Sequence, residues 1–236
     1  MSEATEQLED FEVEEVEPHP ELDPETLARR AEALRRIRQF GDPVLRARAL
    51  EVERFDESLR AEVERMGELM IDALGVGLAS NQVGVLHRVL VYRCDPEEPV
   101  TALVNPVLEW VSEETETGEE GCLSLRAVHL EVERPARVRV RAQDVAGREL
   151  SLEAEELEAR VIQHEIDHLD GILILDRVSR GERKEAMRAM REALREPDEP
   201  PREPGDPPRE PEDPLREPED SAREPDEPPH EPDGGR

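Results

Sequence analysis

The chain is poor in cysteine and has no long apolar run. Its 236 residues hold only Cys94 and Cys122, too few for a disulfide framework. No stretch reaches the roughly 20 apolar residues that a membrane-spanning helix needs. The first 26 residues carry eleven acids and no Lys or Arg, so the basic and apolar parts of a secretory signal are missing. These absences lead us to expect a cytoplasmic protein with no membrane partner.

What the chain has in excess is negative charge, unevenly spread. The formal net charge is −30, yet residues 27–194 carry only −9 of it. Residues 195–236 hold sixteen acids against six arginines, and thirteen of the 21 prolines. Strong like-charge repulsion and little apolar surface leave too little burial to offset the entropy of ordering. We therefore expect a disordered acidic extension at 1–26, a folded domain at 27–194 and a disordered tail at 195–236. The tail repeats every seven residues, from Arg195-Glu196-Pro197 through Arg223-Glu224-Pro225 to His230-Glu231-Pro232. Proline in each unit forbids a continuous helix and no apolar seam exists, so an extended tail is expected rather than a coiled coil.

Within 27–194, residues 56–74 place Leu59, Val63, Met66, Leu69 and Met70 on one helical face, with Gly75 and Gly77 as breakers. His87–Tyr92, Thr101–Leu108 and Arg137–Ala142 alternate or are rich in Val and predict strands. Asn105-Pro106 and Asp144 to Gly147 read as turns. A second helix is predicted over Glu153–Leu169, with Gly171 just beyond its end, and a third over Glu182–Leu194. Helices and strands do not alternate regularly, which points to an α+β fold with antiparallel or mixed sheets.

The densest chemistry is Gln163-His164-Glu165-Ile166-Asp167-His168-Leu169. Positions four apart face one side of a helix, so His164 and His168 can reach one metal ion. Glu165 sits one step around, where a carboxylate can take a proton from attacking water without ligating the metal. Surface histidines are the alternative, but the flanking Val161, Ile162, Leu169 and Ile172 mark an inward-facing helix. A catalytic metal needs a third protein ligand. Ile174 stands where an extended metalloprotease pattern would have a histidine, and Glu185 and Glu192 look solvent-facing. Cys122, in Glu120-Gly121-Cys122-Leu123-Ser124, would complete a Cys-His-His set as a thiolate, although such a cysteine alone is more often an inert buried thiol. The third segment, Gly75 to Gln82, is built of small residues that let a backbone or ligand approach closely. It lacks the Lys and third glycine of phosphate-binding loops.

In this order and spacing, GVGLASNQ at 75–82, EGCLS at 120–124 and QHEIDHLDG at 163–171 resemble the motifs of the peptide deformylase family. The resemblance runs over roughly residues 35–180 and includes IRQFGDPVL at 37–45. Ser80 stands where the family motif has a second alanine, and Arg126-Ala127 follow EGCLS where many members have Pro-Gly. The resemblance implies antiparallel or mixed sheets packed around a central helix that carries the HExxH metal motif. It also implies removal of the formyl group from the N-terminal formyl-methionine of new bacterial proteins, with release of formate. Cys122, His164 and His168 are then the ligands of one divalent metal ion, usually Fe2+, with Zn2+, Ni2+ or Co2+ able to take the site. Glu165 is the proton shuttle, and the Gln82 amide and the Leu123 backbone N–H stabilise the oxyanion. Gly75, Val76 and Gly77 hold the extended peptide. By position, Val76 and Val161, with the stems of Arg160 and His129, line the methionine pocket. Glu120 is expected to pair with Arg134 as an anchor for the Cys122 turn. A zinc metallopeptidase would explain 164–168 but not Gln82 or EGCLS, and a non-enzymatic ribosome-binding paralogue would not need every chemical position intact. The basic residues of 180–195 suggest a transient ribosome contact through phosphates; no DNA partner is expected.

Overall fold

The computed structural model describes residues 22–193, apart from the side chains at 126, 127 and 193. The extension expected at 1–26 lies outside these residues up to position 21, and so does the repeat tail expected at 195–236. The N-terminal boundary shifts: helix α1 spans Pro24–Arg36 and begins inside the stretch assigned to the extension. Asp23 caps it, accepting from the Glu25 and Thr26 N–H groups at 3.0 Å, and Pro24 fills the first-turn position where no N–H is needed. Ala33 and Ile37 then bury against helix α2, Glu57–Asp72.

The strands are β1 (Gly77–Ala79), β2 (Val89–Tyr92), β3 (Thr101–Val111), β4 (Thr115–Cys122), β5 (Leu125–Pro135), β6 (Arg137–Gln143) and β7 (Glu149–Glu155). Five form one sheet in the order β1-β2-β3-β6-β7, and β4-β5 is a separate two-stranded ribbon. Every strand pairing is antiparallel. Helices α3 (Glu156–Leu169) and α4 (Arg180–Ala193) complete the α+β fold. On β6, Val138, Val140 and Ala142 point inward and the arginines between them outward, as period-two alternation requires.

Two readings of the sequence need correction. The helix expected from Glu153 begins three residues later, because the ladder Arg139↔Glu153 and Arg137↔Glu155 holds this stretch in β7. Asn105-Pro106 is not a turn but a bulge within β3, where the register shifts between Val104 and Val107. Asn105 takes a positive φ of 53°, and its amide binds Val52 N–H, Val52 C=O and Gln143. The Asp144–Gly147 turn stands as expected, closed by Gly147 N–H to Asp144 C=O at 2.9 Å.

Helix α3 touches β1, β2 and β7 of the large sheet and β5 of the ribbon. Ala159, Ile162, Ile166 and Leu169 bury one of its faces in the core, and each large buried side chain contributes roughly 1.5–3 kcal/mol. Asn81 Nδ2 donates to the His168 carbonyl and Ala49 N–H to that of Leu169 at 2.7 Å. The helix that carries the histidines is thus pinned at its C-terminal end.

Candidate active site

Three segments meet at a groove of about 910 Å³. One is the loop after α2. Leu74, not Gly75, takes the left-handed conformation there, with φ of 59°. Gly75 and Gly77 are needed for space: a Cβ at Gly75 would lie 2.8 Å from Leu123 Cδ1, and one at Gly77 would lie 2.4 Å from Glu165 Oε1. The second is the tight turn from Cys122 to Leu125 that closes the β4-β5 ribbon. The third is α3. Gly75, Val76, Gly77, Gln82, Cys122, Leu123, Val161, His164 and Glu165 all line the groove, as do His129 and Arg160. His168, 1% exposed, is not on its wall.

Cys122 Sγ lies 3.2 Å from His168 Nε2. Ligand atoms from Cys122, His164 and His168 all fall within 4.8 Å of one another. Around a tetrahedral ion, sulfur and nitrogen ligands sit roughly 3.5 Å apart, so this donor set fits a divalent metal. The electrostatics agree. Burial opposes charging His164, but Cys122, Glu120 and Glu165 overcome it and raise its pKa well above the usual value. Burial and the neighbouring His164 charge press His168 well below it. The surroundings of His164 thus favour a positive charge beside it, as a metal-donor set requires.

Glu120 fixes His164. Its Oε2 lies 2.9 Å from His164 Nδ1; an ionised carboxylate only accepts, so Nδ1 carries the hydrogen and Nε2 is left to ligate. Burial alone would raise the Glu120 pKa, yet hydrogen bonds and charge from Arg134 and His164 hold it at about 2. Arg134, 4% exposed, grips Glu120 with two bonds of 2.8 and 2.9 Å and Asp167 with a third of 2.6 Å. Arg160 adds a bond of 3.0 Å to Glu120, and Arg177 binds Asp167 at 2.9 Å through Nε. The expected Glu120–Arg134 pair is therefore one link of a larger buried network. Asp167 and Arg177 escaped the sequence reading, although Asp167 lies between the two histidines in sequence.

Glu165 is 4% exposed, and its Oε2 is buried without a hydrogen-bond partner among the described residues. In the metal-free chain burial pushes its carboxyl up to about 7. The Gln82 side chain is oriented by its own loop: Oε1 accepts from Ala79 N–H at 2.8 Å, while Nε2 lies 3.2 Å from Ser124 Oγ and 3.9 Å from Cys122 Sγ. The hydroxyl that Ser80 adds to the motif donates to the His87 carbonyl, so the exchange leaves no orphaned donor.

The α+β fold thus sets a thiol and two imidazoles within 4.8 Å of one another, with a buried carboxyl beside them at the groove, an arrangement suited to a metal-dependent hydrolase. Comparison with known proteins narrows the class. Residues 34–184 match the family model for polypeptide deformylase. Peptide deformylase 1 of Corynebacterium efficiens is 50% identical over 160 residues, which are 67% of this chain and 95% of that protein. The peptide deformylase of Thermotoga maritima is 47% identical over 148 residues, 63% of this chain and 89% of the relative. Among solved structures, a Synechococcus elongatus peptide deformylase in complex with actinonin superposes with a TM-score of 0.62 at 42% identity, over 64% of this chain and 85% of that one. The chain belongs to the polypeptide deformylase family.

Proposed function

We propose that the protein is a metal-dependent peptide deformylase that removes the formyl group from N-formyl-methionine peptides of newly made proteins and releases formate. The observation that carries this reading is a buried, unpartnered Glu165 carboxylate oxygen beside the Cys122-His164-His168 donor set. In this reading α3 is the central helix of the fold and carries the metal motif. The catalytic unit runs from α1 to α4, within residues 27–194 but for the first turn of α1.

Cys122, His164 and His168 hold one divalent ion, with Fe2+ the expected occupant and Zn2+, Ni2+ or Co2+ as substitutes. Such an ion lowers the pKa of water and polarises a carbonyl oxygen. Glu165 takes the proton of the attacking water and returns it to the amine nitrogen as the formyl C–N bond breaks. Gln82 Nε2 and the Leu123 N–H, at the turn beside Cys122, face the oxygen that gains negative charge. Gly75 and Val76 lead into β1, which Gly77 begins and which is an edge strand of the large sheet, and the three offer backbone groups to an extended peptide. Val76 and Val161 hold the methionine side chain.

The test is a panel of formyl-Met-Ala, acetyl-Met-Ala and unblocked peptides. Formate release from the first alone supports the reading; equal cleavage of internal peptide bonds would instead favour a zinc metallopeptidase. No turnover at all from metal-loaded protein would favour a non-enzymatic paralogue.

No described helix is long and apolar enough to cross a membrane, and a cytoplasmic site of action accords with a substrate made at the ribosome. Helix α4 packs Ala186 and Met190 inward and leaves Arg180, Arg183, Lys184, Arg188 and Arg191 exposed. That face suits a transient contact with ribosomal RNA phosphates. Deleting 197–236, which removes competing acids, should tighten co-sedimentation with ribosomes at low salt, and unchanged binding would count against the contact.

A further inference from the structure

Helix α1 is not a bystander to the groove. Arg30, Ala31, Leu34 and Arg35 line it together with Gly75–Gly77 and Leu123. These four positions share one stripe of the helix, and Leu34 on that stripe packs into the same core cluster as Leu123, which fixes how α1 faces the site. The helix also lies largely ahead of the family match, which begins at residue 34. Part of the groove wall is therefore an addition to the matched region.

That wall is basic. Arg30 makes no ion pair among the described residues. Among the described residues Arg35 pairs only with Glu32 on its own helix, and the two side chains are 67% and 62% exposed. Such a pair contributes little and is readily exchanged. Glu119 enters the same groove from β4, exposed and without an ion pair among the described residues. The α1 side of the rim thus carries guanidinium groups with no partner on another element among the described residues. The β4 side carries the Glu119 carboxylate and an Arg160 guanidinium already held by Glu120 and by β4 and β5 carbonyls. An extended peptide presents successive side chains to opposite sides, so neighbouring residues of one substrate meet these two charges separately.

We propose that Arg30 and Arg35 form a specificity lip that favours substrates with an acidic side chain at one of the two positions following formyl-methionine. The lip disfavours a basic side chain at that position, and the neighbouring position, facing Glu119, lacks this preference. The inference rests on the deformylase reading, because it takes the groove as the path of a formylated peptide. The lip acts on binding, because α1 contributes none of the groups placed at the bond that breaks.

The experiment uses the full-length, metal-loaded chain, so that competition from the eleven acids within residues 1–26 is included in what is measured. Amidated formyl-Met tripeptides carry Asp, Ala or Lys at the second or third position, and formate release gives kcat/KM for each. An exposed pair predicts an Asp-over-Lys ratio of up to about fivefold at one position. It should be expressed in KM rather than kcat and should collapse in 0.5 M salt as charges are screened. In the double variant Arg30→Glu/Arg35→Glu the ratio at that position should invert. The ratio is taken within each enzyme, so a change in the folded fraction of the variant does not affect it. Equal turnover of Asp and Lys peptides at both positions overturns the inference, and so does a preference that survives in the double variant. The Ala peptides separate the two readings: if they are not deformylated, the proposed function itself fails.

Discussion

Replacing Glu165 with glutamine should lower kcat/KM for a formyl-Met peptide by about 10²–10⁴-fold, the range for a lost general acid–base group, while leaving bound metal unchanged. Glutamine keeps the shape but cannot accept the proton of the attacking water. The variant should not be less stable: Glu165 is a buried carboxyl with one unpartnered oxygen and a pKa pushed up to about 7 by burial, so removing its charge relieves a cost. Gly77→Ala reaches the same group from the other side. Its Cβ would stand 2.4 Å from Glu165 Oε1 and 2.9 Å from its carboxyl carbon, so either the loop or the base must move. A loss of about tenfold or more is expected with all metal ligands intact, given how steeply catalysis falls with misplacement of the reacting groups. Formate release and metal content, measured on the same samples, check both. A Glu165→Gln enzyme within a few-fold of the parent would remove Glu165 from the mechanism.

Replacing Arg134 with methionine should destabilise the fold by about 3 kcal/mol, the lower end expected when one partner of a buried ion pair is removed. The lower end applies because Arg160 still reaches Glu120 and Arg177 still reaches Asp167. Urea unfolding measures the difference, and its pH dependence has a definite sign. The folded-state pKa of Glu120, at about 2, lies below the ordinary 4.5. Its contribution to stability is therefore fully present above pH 4.5 and is lost as pH falls from there through about 2. The gap between parent and variant should be constant from about pH 5 to 7 and should narrow below 4.5. A gap that widened in acid would mean that Arg134 does not stabilise the Glu120 carboxylate. Because Glu120 also orients His164, the variant should bind metal more weakly as well.

The two kinds of residue in the site were not equally legible in the sequence. His164, Glu165 and His168 declare themselves, because helical spacing alone puts two imidazoles one turn apart. Cys122 and Gln82 do not. Each is ambiguous until a resemblance joins three segments, because no local rule brings positions 82, 122 and 164 together. The β4-β5 ribbon was hidden for a physical reason: Thr115–Cys122 reads TETGEEGC, with no apolar alternation, and only pairing with β5 makes it a strand. Helix α1 was obscured by the charge of its surroundings, although Asp23-Pro24 is a capping signal that local chemistry could have revealed. The start of α3 was placed too early because Glu153-Ala154-Glu155 favours a helix, and tertiary pairing with β6 overrides that preference. The network that links Arg134 and Arg177 through Asp167 is a three-dimensional object, and the sequence disclosed only its Glu120–Arg134 edge.

In the proposed reaction Cys122, His164 and His168 hold the metal on which deformylation depends. Metal analysis of anaerobically purified protein, paired with formate release from the same sample, decides whether they do. Close to one divalent ion per chain is expected, with metal and formate release lost together in Cys122→Ala and in the chelated parent, and activity returning to the parent when Fe2+ is restored. Undiminished formate release from Cys122→Ala, or from parent protein stripped of metal, would contradict it.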